Sequence, residues 1–192
     1  MTCRSYLLIT LFVCITLPPP LKAQSVTIFG AGIYARDCFQ AATMASLNLP
    51  LDRASLEKCT LALDHGKLKL RDRAATYVNR GVVHVNLKQY KEALKDYNHA
   101  AGLRPDLTAI YVNKGNVYYL THAFDEAIIE YSKSLAMNTH AAPVAYVNRG
   151  MSHEKLGLFK EATEDYRKAV ELAPQWQIAK EKLAKLSARQ NK

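Results

Sequence analysis

The sequence predicts an all-α protein whose helices stack as a solenoid of helix-turn-helix repeats. The strings "YVNRG", "YVNKG" and "YVNRG" recur along the chain, so that Asn79, Asn113 and Asn148 are 34 and 35 residues apart. Each string is followed by a second amphipathic segment: "YKEALKDYNHA", "FDEAIIEYSKS" and "FKEATEDYRKA". Two helix-length segments per period are typical of repeat arrays, in which each helical pair buries its apolar face against the next pair.

Residues 1–23 precede this array and are predicted to be a secretory signal peptide that is cleaved after Ala23. Arg4 supplies a positive charge, residues 6–17 form an apolar run, and "PPPLKA" then ends on a small residue. The run of 12 residues is short for a membrane span, which needs about 20 residues. An uncleaved membrane anchor is the alternative. The mature protein is expected to be exported, either to the periplasm or out of the cell.

The composition is ordinary for a globular protein, with 49% hydrophobic and 22% charged residues. The formal net charge of +9 falls to +7 when Arg4 and Lys22 leave with the signal peptide. A basic cytosolic protein would suggest a nucleic-acid partner, but an exported protein does not. The basic surface is either simply solvated or it meets anionic envelope surfaces and acidic partners.

A glycine-rich string, "VTIFGAGIYA", leads into the array and raises another function. Gly30, Gly32 and Ala35 have the G-x-G-x-x-A spacing of a dinucleotide-binding turn, and Asp52 lies about twenty residues further on. That site requires a strand, a helix and a second strand. Residues 33–72 instead contain two segments of helical composition. We therefore predict a flexible lead at residues 24–32, a degenerate N-terminal helical cap at residues 33–72 and no cofactor. An NAD-binding oxidoreductase is the remote alternative.

Two cysteines, Cys38 and Cys59, remain after cleavage, and both lie in the predicted cap. An even pair in an oxidising compartment is expected to form a disulfide. Two buried free thiols are the alternative. The six histidines show no metal-ligand spacing, and the sequence contains none of the common catalytic motifs. The sequence therefore predicts neither a metal site nor an enzyme.

The repeats resemble the tetratricopeptide repeat family, in which aromatic, small and proline residues occupy set positions of a repeated unit. The array at residues 73–176 divides into repeats at residues 74–107, 108–141 and 143–176. The matching residues are Tyr77, Gly81, His84, Ala93, Tyr97, Ala100 and Pro105, then Tyr111, Gly115, Tyr118, Ala127, Tyr131, Ser134 and Thr139, and finally Tyr146, Gly150, His153, Ala162, Tyr166, Ala169 and Pro174. The sequence departs from the pattern where two histidines replace aromatic residues and where Thr139 replaces proline.

A capping helix is predicted at residues 177–192, because the last repeat of an array leaves an apolar face uncovered. Its apolar stripe consists of Ile178, Ala179, Leu183 and Leu186. A helix lying on a membrane surface is the alternative.

The resemblance implies a concave groove, lined by the first helix of each repeat, that binds a protein or peptide. The groove residues that it implies are Val78, Val82, Val85, Val112, Asn116, Tyr119, Leu120, Val147, Met151, Glu154, Lys155 and Trp176. Most are apolar, with Asn116 as a central polar residue, so an apolar helix or extended peptide is the expected ligand. The family's carboxylate-clamp subclass needs lysines where this sequence has Ala75, Ala109 and Val144. The alternative is that the valines pack against the neighbouring repeat or the cap.

These features predict a non-catalytic protein–protein interaction module or scaffold of the cell envelope. A second hypothesis is an accessory subunit of an envelope assembly or secretion complex that docks through its outer or basic surface.

Overall fold

The computed structural model describes residues 33–137 and 142–190, which form nine α-helices and no strand. The helices are α1 (Ile33–Ser46), α2 (Arg53–His65), α3 (Leu70–Asn86), α4 (Tyr90–Leu103), α5 (Thr108–Leu120), α6 (Phe124–Ala136), α7 (Ala142–Lys155), α8 (Phe159–Leu172) and α9 (Gln177–Gln190). The predicted all-α repeat architecture is confirmed. The predicted signal peptide and flexible lead, with Gly30 and Gly32, lie outside the described residues, as does Thr139.

Helices α3 to α8 pack as three pairs, α3 with α4, α5 with α6 and α7 with α8. In the middle pair, Gly115 of the first helix lies against the fully buried ring of Tyr131 on the second helix. Ala127, one turn earlier on the second helix, is also fully buried. Small residues are required on both helices because the tyrosine ring fills the space between them. Each second helix also packs on the first helix of the next pair, so the pairs form one continuous solenoid.

Helices α1 and α2 form a further pair at the N-terminal end of the solenoid. A disulfide joins Cys38 on α1 to Cys59 on α2, with 4.5 Å between the Cα atoms, and both side chains are fully buried. The same apolar cluster contains Val83 of α3, so this pair covers the first repeat. Asp52 caps α2, since its Oδ1 accepts a hydrogen bond from the Ser55 amide at 2.9 Å. Asp52, whose spacing from the glycines matches that of a ribose-binding acid, therefore serves as the N-cap of a helix.

Helix α9 covers the other end of the solenoid. Ala179 and Leu186 are buried in an apolar cluster with residues of α7 and α8, and Leu183 packs against that cluster. Lys180 and Lys185 lie on the exposed side of the helix. The apolar stripe of α9 thus lies against the protein, as the capping interpretation expects. None of the described helices is long and apolar enough to cross a membrane.

The turns that join the two helices of each pair share one backbone conformation. Asn48, Lys88, His122 and Gly157 each have a positive φ, between 56° and 77°. In all four turns the next amide donates a hydrogen bond to a carbonyl five residues earlier, at 2.8–3.0 Å. This arrangement satisfies the last carbonyls of the first helix, and it favours glycine because a Cβ atom is strained there. At Lys88 and His122 the residue type does not signal the turn, so the sequence did not predict this conformation.

Lys88→Gly is expected to stabilise the protein by about 0.5–1 kcal/mol. The substitution relieves a strain of roughly 1–2 kcal/mol, which the greater freedom of glycine in the unfolded chain partly offsets. The Lys88 side chain is exposed, so no buried contact is lost. Urea unfolding followed by circular dichroism measures the change in the free energy of unfolding. Lys95→Gly, on the exposed face of α4, is the matched control and should destabilise by about 1 kcal/mol. If Lys88→Gly and Lys95→Gly change the free energy of unfolding equally, the backbone at Lys88 is not strained.

Candidate functional site

The structure divides the twelve predicted groove residues into two sets of equal size. Six are buried: Val78, Val82, Val112, Asn116, Val147 and Met151. Six keep access to solvent and are called here the accessible groove: Val85, Tyr119, Leu120, Glu154, Lys155 and Trp176. Five of these six lie in the last turns of α3, α5 and α7. The residues that can meet a partner are therefore concentrated near the turns and do not extend along the whole first helices.

The buried valines are packing residues in this structure, which differs from the prediction that they line an open groove. Val78 lies in the apolar cluster between the first and second repeats, and Val82 packs in the cluster of the N-terminal pair. Val112 and Val147 are buried in the clusters of the second and third repeats, the latter together with Met151. This burial agrees with the alternative interpretation, in which the valine stripe packs against neighbouring helices.

Asn116, the predicted central polar residue of the groove, is only 1% exposed. Its Oδ1 accepts hydrogen bonds from the Tyr131 hydroxyl at 2.8 Å and from Asn148 Nδ2 at 2.9 Å. Asn148 belongs to the following repeat, so this buried amide connects two repeats. A buried amide without such partners would cost free energy. Asn116 therefore stabilises the stacking of the repeats, and a ligand in the accessible groove does not reach its Oδ1.

Tyr131→Phe and Tyr97→Phe are expected to differ, although both tyrosines occupy the same position of successive repeats. Tyr131→Phe removes the hydrogen bond to Asn116 and should destabilise the protein by about 1 kcal/mol. The Tyr97 hydroxyl has no hydrogen-bond partner among the described residues, since Val82 stands where the next repeat has Asn116. Tyr97→Phe should therefore be neutral or stabilising. Thermal unfolding of the two variants checks this, and a larger loss for Tyr97→Phe would contradict it.

Tyr119 is the main apolar surface of the accessible groove. Its half-buried ring packs against the clusters of both the second and third repeats. The ring also lies edge-on to Phe124, with 5.5 Å between the ring centroids. Burial, together with the Glu154 carboxylate, raises the pKa of Tyr119. The side chain is thus a neutral phenol on a rigid aromatic surface, a type that is enriched among the strongest contributors to protein interfaces.

Glu154 is an oriented acid in the accessible groove. Its Oε2 accepts a hydrogen bond from the Tyr166 hydroxyl at 2.9 Å and lies 3.5 Å from Lys182 Nζ. Lys182 Nζ also lies 6.0 Å from the centroid of the Tyr166 ring. Helices α8 and α9 therefore hold the carboxylate in one position. A carboxylate held in this way has further lone pairs that can accept hydrogen bonds from a ligand.

Each repeat also contains an ion pair that is not among the predicted site residues. The pairs are Arg80–Asp96, Lys114–Glu130 and Arg149–Asp165, with N–O distances of 2.7, 3.3 and 2.7 Å. The acids are buried, and the two members are 16 positions apart in every repeat, a recurring spacing that would have revealed them. The two histidines that replace aromatic residues lie beside the acids of their own repeats, as His153 does at 3.1 Å from Asp165. Within the described residues, no group of three or more His, Cys, Asp or Glu side chains is placed to hold a metal ion.

The fold and these contacts define a class of protein, the solenoids of paired helices that stack through small residues and tyrosines. Residues 74–107 and 143–175 match models of the tetratricopeptide repeat. These two segments of the chain are therefore tetratricopeptide repeats. The two matches begin at the first residues of the first and third predicted repeats.

Several solved structures share this fold. The first TPR of Spaghetti (RPAP3), bound to the HSP90 peptide SRMEEVD, is 24% identical, with 64% of this chain and 96% of that chain covered and a TM-score of 0.60. YrrB, a TPR protein with an unusual peptide-binding site, is 24% identical over 70% of this chain and 67% of that chain, with a TM-score of 0.60. TTC0263, a thermophilic TPR protein of Thermus thermophilus, is 20% identical over 81% of this chain and 82% of that chain, with a TM-score of 0.68. No curated protein sequence matches the chain.

Proposed function

We propose that this protein is a non-catalytic protein-interaction module of the cell envelope that binds a peptide or helix at the accessible groove. The observation that carries the proposal is the pairing of Tyr119 and Glu154 on the adjacent first helices α5 and α7. Tyr119 packs against the apolar cluster that contains Tyr166, the Tyr166 hydroxyl holds the Glu154 carboxylate, and both Tyr119 and Glu154 are partly open to solvent. This combination suits a ligand that presents an apolar side chain next to a hydrogen-bond donor.

The similar structures support a peptide ligand. One of them is bound to an HSP90 peptide, and YrrB is described by its peptide-binding site. The ligand of this protein is expected to differ from a peptide held by its C-terminal carboxylate. Ala75 and Ala109, which stand where a clamp would need lysines, are both buried and carry no charge. An apolar segment that rests on Tyr119 and Leu120 fits the accessible groove better.

The envelope location is supported by two features. Residues 1–23 have the layout of a signal peptide, and the Cys38–Cys59 disulfide suits an oxidising compartment. The intact mass of the protein recovered from its host tests this part of the proposal. A chain that begins at Gln24 and gains two hydrogens on reduction supports export, whereas a full-length chain with free thiols contradicts it.

The groove is tested with peptides selected for binding from a displayed random library. Tyr119→Ala is expected to raise the dissociation constant of the selected peptides by at least about tenfold, which corresponds to a loss of roughly 1.4 kcal/mol in binding free energy. Fluorescence anisotropy with labelled peptide measures the constant. Ile129→Ala is the control, because Ile129 is 54% exposed on α6, outside the groove.

A second variant separates binding from folding, since Tyr119 also packs in two apolar clusters. Glu154→Gln keeps the shape of the side chain and removes its charge, so it should weaken binding while the thermal midpoint changes little. If Ile129→Ala weakens binding and both groove variants bind normally, the groove proposal is wrong. That result would favour the second hypothesis, an accessory subunit that docks through the outer surface.

A further inference from the structure

The turn between α7 and α8, residues 155–160 with the sequence "KLGLFK", exposes two large apolar side chains and is called here the leucine turn. Leu156 and Leu158 are 38% and 41% exposed. Gly157 lies between them with a φ of +77°, and this conformation makes the chain reverse tightly. Lys155 and Lys160 flank the leucines, and both keep access to solvent.

The leucine turn is open to solvent at Gly157 and has a defined backbone conformation. A Cβ atom placed on Gly157 would meet nothing within 4 Å among the described residues. The backbone is nevertheless fixed, because the Gly157 amide donates to the Glu154 carbonyl at 3.2 Å and the Leu158 amide donates to the His153 carbonyl at 2.9 Å. The two leucines therefore lie at the tip of an open turn with a fixed backbone.

Basic side chains surround this tip. The guanidinium of Arg189, near the end of α9, lies 4.5 Å from the centroid of the Phe159 ring and so places a third cation at the α8 end of the turn. Glu161 is the adjacent exposed acid, while Glu154 is already engaged by Lys182. The tip thus combines exposed leucines with a net positive rim.

Among the turns that join the two helices of a pair, all of which lie in the described part of the chain, the others lack this combination. The α5–α6 turn has Thr121, His122 and Ala123 at the corresponding positions. The α1–α2 turn also exposes two leucines, Leu47 and Leu49, around a residue with positive φ. Its immediate neighbours are uncharged from Ser46 to Leu51, so it offers the same apolar surface without the basic rim.

We propose that the leucine turn inserts into the headgroup region of an anionic lipid membrane. Exposed leucines next to cations are the side chains that surface-bound proteins use at the boundary between headgroups and acyl chains. The openness of the turn favours a membrane over a peptide, because no described atom lies within 4 Å of a Cβ atom placed on Gly157 to form the wall of a peptide cleft, whereas a lipid surface needs no cleft. The site is separate from the Tyr119 surface, although Lys155 borders both.

The proposal is tested with the full chain and two kinds of vesicle, phosphatidylcholine alone and phosphatidylcholine mixed with phosphatidylglycerol. Hydrogen exchange is measured by mass spectrometry on segments that contain the leucine turn and the α5–α6 turn. The amides of Lys160 and Glu161, in the first turn of α8, have no carbonyl partner within their helix and exchange quickly in water, whereas those of Gly157 and Leu158 are already hydrogen-bonded. The mixed vesicles are expected to slow exchange at residues 157–161 and to leave residues 121–125 unchanged.

Paired variants identify the side chains responsible. Leu156→Ser/Leu158→Ser should abolish the protection of the turn and weaken vesicle binding by roughly tenfold. Leu47→Ser/Leu49→Ser is the matched control. It should retain the protection of the leucine turn and the vesicle binding, because the α1–α2 turn lacks the basic rim. Leu156 and Leu158 are only 38% and 41% exposed, so the thermal midpoint of every variant is measured first and vesicle binding is compared below the lowest midpoint. Any attachment through residues 6–17 is common to every variant, so the difference between variants reports the turn.

Three results would overturn the proposal. The first is equal protection by neutral and mixed vesicles, or no protection by either. The second is loss of binding in Lys155→Glu/Lys160→Glu together with normal binding of the leucine variant, which would mean adsorption by charge alone. The third is protection of the turn by an acidic, leucine-containing peptide and not by vesicles, which would make the partner a protein.

Discussion

Gly115→Ala is expected to destabilise the protein by about 2 kcal/mol, near the middle of the range for overpacked cores. The added Cβ atom would lie 2.5 Å from Cε1 and 2.7 Å from Cδ1 of Tyr131. That ring is fully buried, and its hydroxyl is held by Asn116 at 2.8 Å, so it cannot move aside cheaply. The two helices of the middle repeat would have to separate, and this would also strain the interfaces with the first and third repeats.

Gly102→Ala is the matched control for this substitution. Gly102 lies on α4, and a Cβ atom there would meet nothing within 4 Å among the described residues. The only effect is the better helix propensity of alanine, which should stabilise by up to about 0.5–1 kcal/mol. Urea unfolding of both variants, followed by circular dichroism, measures the two changes. Similar stabilities for Gly115→Ala and Gly102→Ala would show that the glycine is not required by the tyrosine contact.

Reduction of the Cys38–Cys59 disulfide is expected to lower the stability of the N-terminal helical pair by about 3 kcal/mol, the chain-entropy value for a loop of this length. The two cysteines are 21 residues apart, and the bridge joins α1 to α2 inside the cluster that covers the first repeat. Solenoids are stabilised locally, by each unit and its neighbours, so the loss should be concentrated at this end. Hydrogen exchange with and without reductant should show faster exchange in α1 and α2 and little change in α7 and α8.

Cys38→Ala/Cys59→Ala controls for other effects of the reductant, because it has no bridge to break. Its exchange should resemble that of the reduced protein and should not respond to reductant. If reduction leaves α1 and α2 as protected as before, the packing of these helices on α3 holds them without the bridge. A uniform loss across all helices would instead mean that the solenoid unfolds as a single unit.

The repeat architecture was predictable because its signals are local and recur. Gly81, Gly115 and Gly150 each meet a tyrosine 16 residues later, so one pattern read three times predicted the same helical pair. The N-terminal pair was harder to predict because Cys38 and Cys59 stand where the other pairs have their larger core residues. Its position was still predictable from the uncovered face that an array leaves.

The binding surface was predicted less well, because exposure is not a local property. Val78 and Val112 lie on the helix faces that the resemblance assigned to the groove, yet both are fully covered by neighbouring helices. Asn116 looked like a polar residue for a ligand, but its partners are 15 and 32 residues away in sequence. The groove prediction at Tyr119 and Glu154 stays a prediction that the peptide experiment decides.

The sequence by itself determined the helical class, the positions of the repeats and the cysteine pair available for a bridge. These depend on the order and spacing of residues within about one repeat, where hydrophobic periodicity and small-residue contacts act. Only the tertiary structure decided which first-helix residues are covered and that Lys88 and His122 adopt a positive φ. Those outcomes depend on how closely neighbouring helices approach, because packing between repeats can override what a residue favours on its own.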